Sequence, residues 1–231
     1  PMASWDLLGN PCRDQLDING GVVKCPRLVV DYITVLTKEP VRRGAHYFQF
    51  RLHHVGDEQW CGLVCERSLA GDFRSGRRLE SWSYYAGRMS SQSPSLSDGQ
   101  AALHAERRAV ARFEKPRPSG DAIGMLVDVD AGAVAFDLNG AFQGACALPK
   151  RAAYWVFTHV DEPEDHVELF KCPAESAPVT SAEAVKAGPL LDVSAGKQLS
   201  SPFDQFLELT FEEADFALYE NDTDDRRRRR R

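Results

Sequence analysis

The sequence of 231 residues contains no apolar run of about 20 residues, which is the length a membrane-spanning helix needs. Its N-terminus lacks the basic-then-apolar pattern of a secretory signal. No glycine-rich phosphate loop ending in Lys-Ser or Lys-Thr occurs, and the Ser-rich run 90–97 lacks the flanking motif of a hydrolase nucleophile. We therefore expect a cytoplasmic protein that crosses no membrane, is not an enzyme and has no small-molecule substrate.

The six cysteines are too few for a disulfide scaffold in a chain of this length. Cys61 and Cys65 lie four positions apart on a predicted strand and face the same way. No second pair of Cys or His residues has the spacing that a zinc site would need. We therefore expect reduced, partly buried thiols, no metal and no cofactor.

The most informative stretch is 120–140, which reads as two strands and their turns. Residues 123–127 and 134–138 each place apolar side chains at every second position, the pattern of a half-buried strand. Asp130-Ala131-Gly132 predicts the turn between them. Asn139-Gly140 is the strongest hairpin signal in the chain.

This stretch resembles the signature of the SPRY (B30.2-like) domain. The resemblance extends, in order and spacing, to the segments Gly44–Leu52, Trp60–Cys65, Ser81–Tyr84, Leu148-Pro149, Tyr154–Phe157 and Val167–Pro173. It implies an all-β fold, namely a bent antiparallel β-sandwich of the SPRY/concanavalin-like jelly-roll type with a C-terminal extension. The chain departs from the family pattern at Gln49, where Glu is usual, and in the long stretch 86–119.

The predicted organisation has five parts. They are an N-terminal lead-in (1–20), the SPRY-like sandwich (21–173), an Ala/Pro/Ser-rich linker (174–200), a packed segment (201–220) and an acidic and arginine-rich tail (221–231). Within the sandwich, the good helix formers of 101–109 give a local helix signal, whereas the resemblance implies a strand near this position.

The packed segment 201–220 has two interpretations. A helix would begin with Ser201 as its cap and Pro202 at its first position. A strand is favoured instead by the alternation of Leu207, Leu209 and Phe211. Both interpretations require several of its large apolar side chains to be buried.

Charge is unevenly distributed along the chain, whose net charge is −6. Residues 161–225 carry 17 acidic residues and three lysines, and Arg226–Arg231 follow as a purely basic run. That run is typical of a solvated terminus or of nucleic-acid attachment. The acidic stretch before it and the lack of interleaved aromatics favour the first interpretation, so we do not expect nucleic acid as the main partner.

Three aspartates, Asp121, Asp128 and Asp130, are the obvious carboxylates near the signature. They lie at predicted strand ends and turns, where Asp side chains accept hydrogen bonds from neighbouring backbone N–H groups. We interpret them as structural rather than catalytic.

Arginine and aromatic residues, which are enriched at binding hot spots, offer a better candidate site. Trp82 and Tyr84 are typical of core positions, whereas Tyr85 has the opposite parity to Tyr84, so at least one tyrosine is expected to face outwards. In SPRY domains partner segments bind a shallow surface formed by loops at one end of the sandwich. The resemblance therefore implies a partner-binding set consisting of Arg42, Arg43, Phe73, Arg74, Tyr84, Tyr85 and His159.

The sequence thus predicts a non-catalytic protein–protein interaction module, acting as an adaptor or as a structural subunit of a larger assembly. Such a surface suits an acidic or main-chain-rich peptide. The alternatives are a lectin-like sandwich that binds a carbohydrate or another small ligand, and a nucleic-acid-associated protein that uses the arginine tail.

Overall fold

The computed structural model describes residues 4–6, 15–27, 33–56, 59–65, 81–86, 101–105, 108–117, 119–160 and 162–187. Within these ranges, fourteen strands form two antiparallel sheets that pack as a sandwich. Sheet A contains, in spatial order, β12 (Ala141–Ala147), β11 (Ala133–Leu138), β10 (Ala122–Asp128), β5 (Ala45–His54), β14 (His166–Cys172), β3 (Val22–Lys24) and β2 (Asp17–Asn19). Sheet B contains β1 (Trp5–Asp6), β4 (Ile33–Thr37), β13 (Tyr154–Val160), β6 (Gln59–Cys65), β7 (Ser81–Ala86), β8 (Ala101–Ala105) and β9 (Arg108–Phe113). The all-β sandwich predicted from the sequence is confirmed.

The main core lies between the two sheets and is built from the alternation seen in the sequence. Ile123, Met125 and Val127 of β10, and every second residue of β11, are buried in it. Strand β6 is buried along its whole length, so the side chains on both of its faces are shielded from water. Cys61 and Cys65 both face this core, and none of the described cysteines forms a disulfide.

The turn around the signature hairpin follows the local chemistry. Asn139 and Gly140, between β11 and β12, both have positive φ angles, of 52° and 82°. Asn tolerates this conformation better than most residues and Gly adopts it freely.

The helix signal of 101–109 is wrong, because the structure places strands β8 and β9 in that region. Strand β8 is paired with β7 on one side and with β9 on the other, so backbone hydrogen bonds are available to it from both neighbours. Its residues Ala101–Ala105 are all buried, which shows tertiary packing overriding a local helix propensity.

The segment after the sandwich is more ordered than the predicted linker. Ala174–Ser176 form a 3-10 turn, and helix α1 (Ser181–Ala187) packs its Ala184 against the outer face of sheet A. A capping box begins α1: the Thr180 backbone N–H donates to Glu183 Oε2 at 2.7 Å, and the Glu183 N–H donates to Thr180 Oγ1 at 3.3 Å. The predicted packed segment 201–220 and the tail 221–231 lie outside the described residues.

The predicted lead-in is also partly built into the sandwich. Strand β1 pairs with β4, and Trp5 is buried in the main core. Among the described residues, no helix has the length and apolar character needed to cross a bilayer.

Candidate interaction surface

One end of the sandwich brings together the β4–β5 loop, the β10–β11 turn and the β12–β13 loop. Val41 bridges to Tyr154, at the start of β13, by two backbone hydrogen bonds of 2.7 and 2.9 Å. We use the name basic rim for five side chains of these connections: Arg42, Arg43, Asp130, Lys150 and Arg151.

Gly44 fixes the β4–β5 loop against the neighbouring turn. Its φ angle is +75°, a conformation that glycine adopts without strain. Its N–H donates to Asp130 Oδ2 at 2.9 Å, and its carbonyl accepts from the Val129 N–H at 3.1 Å. The arginines before it therefore stand on a loop that is held from both sides, which keeps the cost of ordering them on binding low.

The basic rim offers many hydrogen-bond donors to a partner. Arg42, Arg43 and Lys150 are exposed, and Arg151 is half-buried. Arg42 Nη1 donates to the Ala152 carbonyl oxygen at 3.5 Å, which involves one of the five N–H donors of its guanidinium. A planar guanidinium in this setting can bind carboxylates in a bidentate manner or bind backbone carbonyls.

The structure places part of the predicted partner-binding set on this rim. Arg42 and Arg43 are exposed there. Phe73 and Arg74 lie outside the described residues. Strand β6 ends and strand β7 begins at the rim side of sheet B, since Cys65 of β6 is paired with Tyr154 and Ser81 of β7 is paired with Val64.

Tyr84, Tyr85 and His159 were predicted to be in the partner-binding set, but they do not join the rim, because all three side chains are buried. Tyr84 faces the main core and its hydroxyl donates to the Glu114 carbonyl oxygen. Tyr85 does lie on the opposite face, but it is only 2% exposed and packs on Trp60, with ring centroids 4.3 Å apart.

His159 is buried as well, and its Nε2 lies 2.9 Å from Thr34 Oγ1. Burial lowers the pKa of His159 to about 3, so the ring is neutral at physiological pH. It lies on β13 one residue from Val160, whereas the rim adjoins Tyr154 at the other end of that strand. His159 was assigned to the partner-binding set from the order of the family motifs along the chain. That order did not identify which end of the strand the residue occupies.

The three signature aspartates serve the backbone, as the sequence indicated. Asp121 accepts hydrogen bonds from the Arg117 N–H and guanidinium and from Asn139 Nδ2. Burial alone would raise the pKa of Asp121, but the bonds from Arg117 and Asn139 outweigh it and lower that pKa below its ordinary value. Asp128 accepts from the Ala131 N–H at 2.8 Å. The bonds to Asp128 and Asp130 shape the turn next to the rim, whereas Asp121 lies at the opposite end of β10.

A second feature is a cavity of about 760 Å³ on the outer face of sheet A. His53 Nε2 lies 2.8 Å from Glu168 Oε2, and the His53 and His166 rings are stacked with centroids 4.2 Å apart. Burial, with further contributions from nearby His53 and Lys24, lowers the pKa of His166. The remaining lining residues are Leu16, Asp17, Ile18, Asn19 and Val22, so the described lining offers imidazoles but no Trp, Tyr or Phe ring. Nowhere in the described ranges do three or more His, Cys, Asp or Glu side chains form a group suited to a metal ion.

Solved structures provide the comparison with known proteins. The SPRY domain of human HERC1 superposes with a TM-score of 0.51 at 13% identity, covering 72% of this chain and 96% of that domain. The TRIM65 PSpry domain superposes with a TM-score of 0.53 at 14% identity, covering 75% of this chain and 90% of that domain. The chain has the SPRY-domain fold. No protein-family model matches the sequence, and neither does any curated protein.

Within this SPRY fold, sequence reasoning missed two rim residues, Lys150 and Arg151. They follow Pro149 in the connection between two predicted strands, and a loop of that kind is where exposed basic side chains are expected. That signal was present in the sequence, but the position of the loop beside Arg42 became visible only through the pairing of Val41 with Tyr154.

Proposed function

We propose that this chain is a non-catalytic protein–protein interaction module whose basic rim binds an acidic or main-chain-rich segment of a partner. SPRY domains generally bind protein partners, and the fold supports the proposal at that level. The observation that carries it further is the exposure of Arg42 and Arg43 on a loop fixed by Gly44, Val41 and Asp130. The module would act as an adaptor or as a structural subunit of a larger assembly.

Charge complementarity favours an acidic occupant for this surface. With Lys38 of the same β4–β5 loop, Arg42, Arg43, Lys150 and Arg151 outnumber the exposed carboxylates Glu39 and Asp130, and Asp130 Oδ2 already accepts a hydrogen bond from Gly44. A surface with more cations than anions attracts acidic segments and accelerates their association, most strongly at low salt. The carbohydrate alternative has no comparable support, since the described cavity on sheet A lacks the Trp, Tyr or Phe floor that sugar rings stack on.

A selection from a random peptide display library tests the proposal. The bait is the full chain, with an Arg42→Ala/Arg43→Ala variant and a matched Lys171→Ala/Lys186→Ala variant that removes two exposed lysines elsewhere. We expect peptides rich in Asp and Glu to be enriched by the wild type and by the lysine variant, and to be lost by the arginine variant. Enriched peptides that the arginine variant retains, whether acidic or not, would contradict the proposal. A signal on a glycan array without any enriched peptide would favour the lectin alternative instead.

A further inference from the structure

A group of charged and titratable side chains lines the cavity on the outer face of sheet A. His53 lies near the end of β5, His166 begins β14 and Glu168 follows it, whereas Lys24 and Asp17 come from β3 and β2. The basic rim adjoins the start of β5, so the cavity lies at the opposite end of that strand. The proposed function of the rim makes no use of this cavity.

One carboxylate serves both imidazole rings of the cavity. His53 Nε2 lies 2.8 Å from Glu168 Oε2, and the His166 ring is stacked on the His53 ring with centroids 4.2 Å apart and planes inclined by 23°. Glu168 therefore compensates one imidazolium charge directly. A proton on the second ring faces the first imidazolium and Lys24, the register partner of His166. Burial, with contributions from His53 and Lys24, accordingly lowers the pKa of His166.

The charge of the lining changes sign when both rings are protonated. Asp17, Glu168 and Lys24 together give the lining a net charge of −1 while the rings are neutral, and two imidazolium charges turn this into +1. Imidazoles ordinarily gain their charge as the pH falls from about 8 to about 5, a range in which carboxylates and ammonium groups ordinarily keep theirs. Since an excess of cations attracts anions, the cavity favours an anionic group only in acid.

Two neighbouring groups on β5 also favour an anion. Arg51 is the register partner of Glu168 and lies over the Phe170 ring, with its guanidinium carbon 4.8 Å from the ring centroid. The exposed His54 is the register partner of His166. Arg51 adds a constant positive charge and His54 adds another when it is protonated, so neither opposes the uptake of an anion in acid.

We propose that this cavity binds an anionic group, a carboxylate or a phosphate, and takes up a proton as it does so. The anion supplies a further negative charge beside the stacked rings, whose N–H groups donate hydrogen bonds to it together with the Lys24 ammonium. By linkage, the anion raises the proton affinity of the His53–His166 pair, and protonation of the pair strengthens binding. The cavity volume of about 760 Å³ accommodates a small organic acid or a phosphate ester. This inference does not depend on the function of the basic rim.

Nuclear magnetic resonance of the full chain tests the proposal. Sulfate, whose charge does not change between pH 5 and pH 7.5, represents a phosphate, and formate represents a carboxylate; each is titrated at constant ionic strength. The imidazole signals of His53 and His166 report the cavity, whereas His46, whose Nε2 lies 2.9 Å from the Arg43 carbonyl oxygen, reports the basic rim. We expect saturable shifts of the two cavity signals at pH 5 and at least tenfold weaker binding at pH 7.5. The anion that binds more tightly identifies the class of ligand.

Matched variants separate this site from a general attraction of anions. Lys24→Gln and His166→Gln should each weaken the binding seen at His53 at least several-fold, whereas Lys171→Gln, which removes an exposed lysine from β14, should leave it unchanged. Saturating anion should also move the titration midpoint of the His166 signal to higher pH. The proposal is overturned if neither anion gives saturable shifts, if affinity is equal at the two pH values, if the midpoint stays in place, or if Lys24→Gln and Lys171→Gln behave alike.

Discussion

At the scale of single residues, polar groups in this sandwich hold turns together or are buried in a neutral form. Asp121 is 4% exposed at its side chain and is satisfied by Arg117 and Asn139. Asp137, on the other face of sheet A from the core, accepts from the Tyr47 hydroxyl at 2.8 Å and from the Gly140 N–H at 2.9 Å. Burial raises the pKa of Asp137, and the bonds from Tyr47 and Gly140 limit the rise. Gly124 must be small, because a Cβ there would overlap Asp137 and Tyr47.

His159 gives the residue-scale prediction, which concerns acid stability. The pKa of His159 in the folded chain, about 3, lies below the ordinary value of 6.5. Between these two values His159 is protonated in the unfolded chain and neutral in the folded chain. The stabilising contribution is therefore fully present above pH 6.5 and is lost as the pH falls towards 3. Between pH 7 and pH 5 we expect His159 to account for about 2 kcal/mol of the fall in unfolding free energy.

The measurement is denaturant unfolding of wild type and His159→Gln at both pH values, with exposed His54→Gln as the control. His159→Gln should lose about 2 kcal/mol less than wild type between the two pH values, whatever its stability at pH 7. The control should follow the wild type. An unchanged pH dependence in His159→Gln would show that the buried ring does not stay neutral.

At the scale of elements, α1 shows how a short helix is held by its neighbours. Seven residues are too few for a helix to be stable by itself in water, so packing and the Thr180–Glu183 capping box must hold it. Ala184 is its buried contact, set against Tyr47, Leu126 and Ala145 of sheet A.

The matching prediction compares two substitutions on α1. Ala184→Asp would bury a carboxylate among apolar side chains and should cost roughly 2–3 kcal/mol of unfolding free energy, or release the helix from the sheet. Ala182→Asp, at an exposed position of the same helix, should stay within about 0.5 kcal/mol of wild type. Chemical denaturation with a far-ultraviolet circular dichroism readout compares them. Equal stabilities for the two variants would mean that α1 does not dock through Ala184.

The elements also show what sequence could and could not predict. The β10–β11 hairpin followed from alternation and turn residues, because both signals are local. The helix signal of 101–109 was wrong since pairing with the preceding strand β7 and the following strand β9 supplies the hydrogen bonds that make β8 a strand. Helix α1 was missed although Thr180-Ser181-Ala182-Glu183 is a capping-box sequence. Its apolar face is little more than one alanine, which is too narrow to produce a recognisable helical period.

At the scale of the whole molecule, the candidate surface depends on where loops from distant parts of the chain meet. Arg42 and Arg43 were predicted to be in the surface, and the structure exposes both. Tyr84, Tyr85 and His159 were predicted with them, but strand register places these residues towards the other end of sheet B and burial removes them from contact. Parity along a strand correctly put Tyr84 and Tyr85 on opposite faces. It could not show that the side chains on both faces of β7 are buried.

The net charge of −6 makes the basic rim a local exception to the overall charge of the chain. This charge distribution orients an acidic partner segment, because the net negative charge of the chain repels the segment and the basic rim attracts it. Binding that depends on the rim should therefore weaken as salt screens these charges.

A charge-swap experiment tests the rim most directly. The affinity of an enriched acidic peptide is measured by calorimetry for the wild type and for Arg42→Glu/Arg43→Glu, and then for the same peptide with its acidic residues replaced by lysine. We predict that either change alone weakens binding at least tenfold, a loss of about 1.4 kcal/mol, and that the two together restore part of it. If the reversed rim binds the original peptide as tightly as the wild type, or if the reversed peptide gains nothing from the reversed rim, the basic rim is not the binding surface.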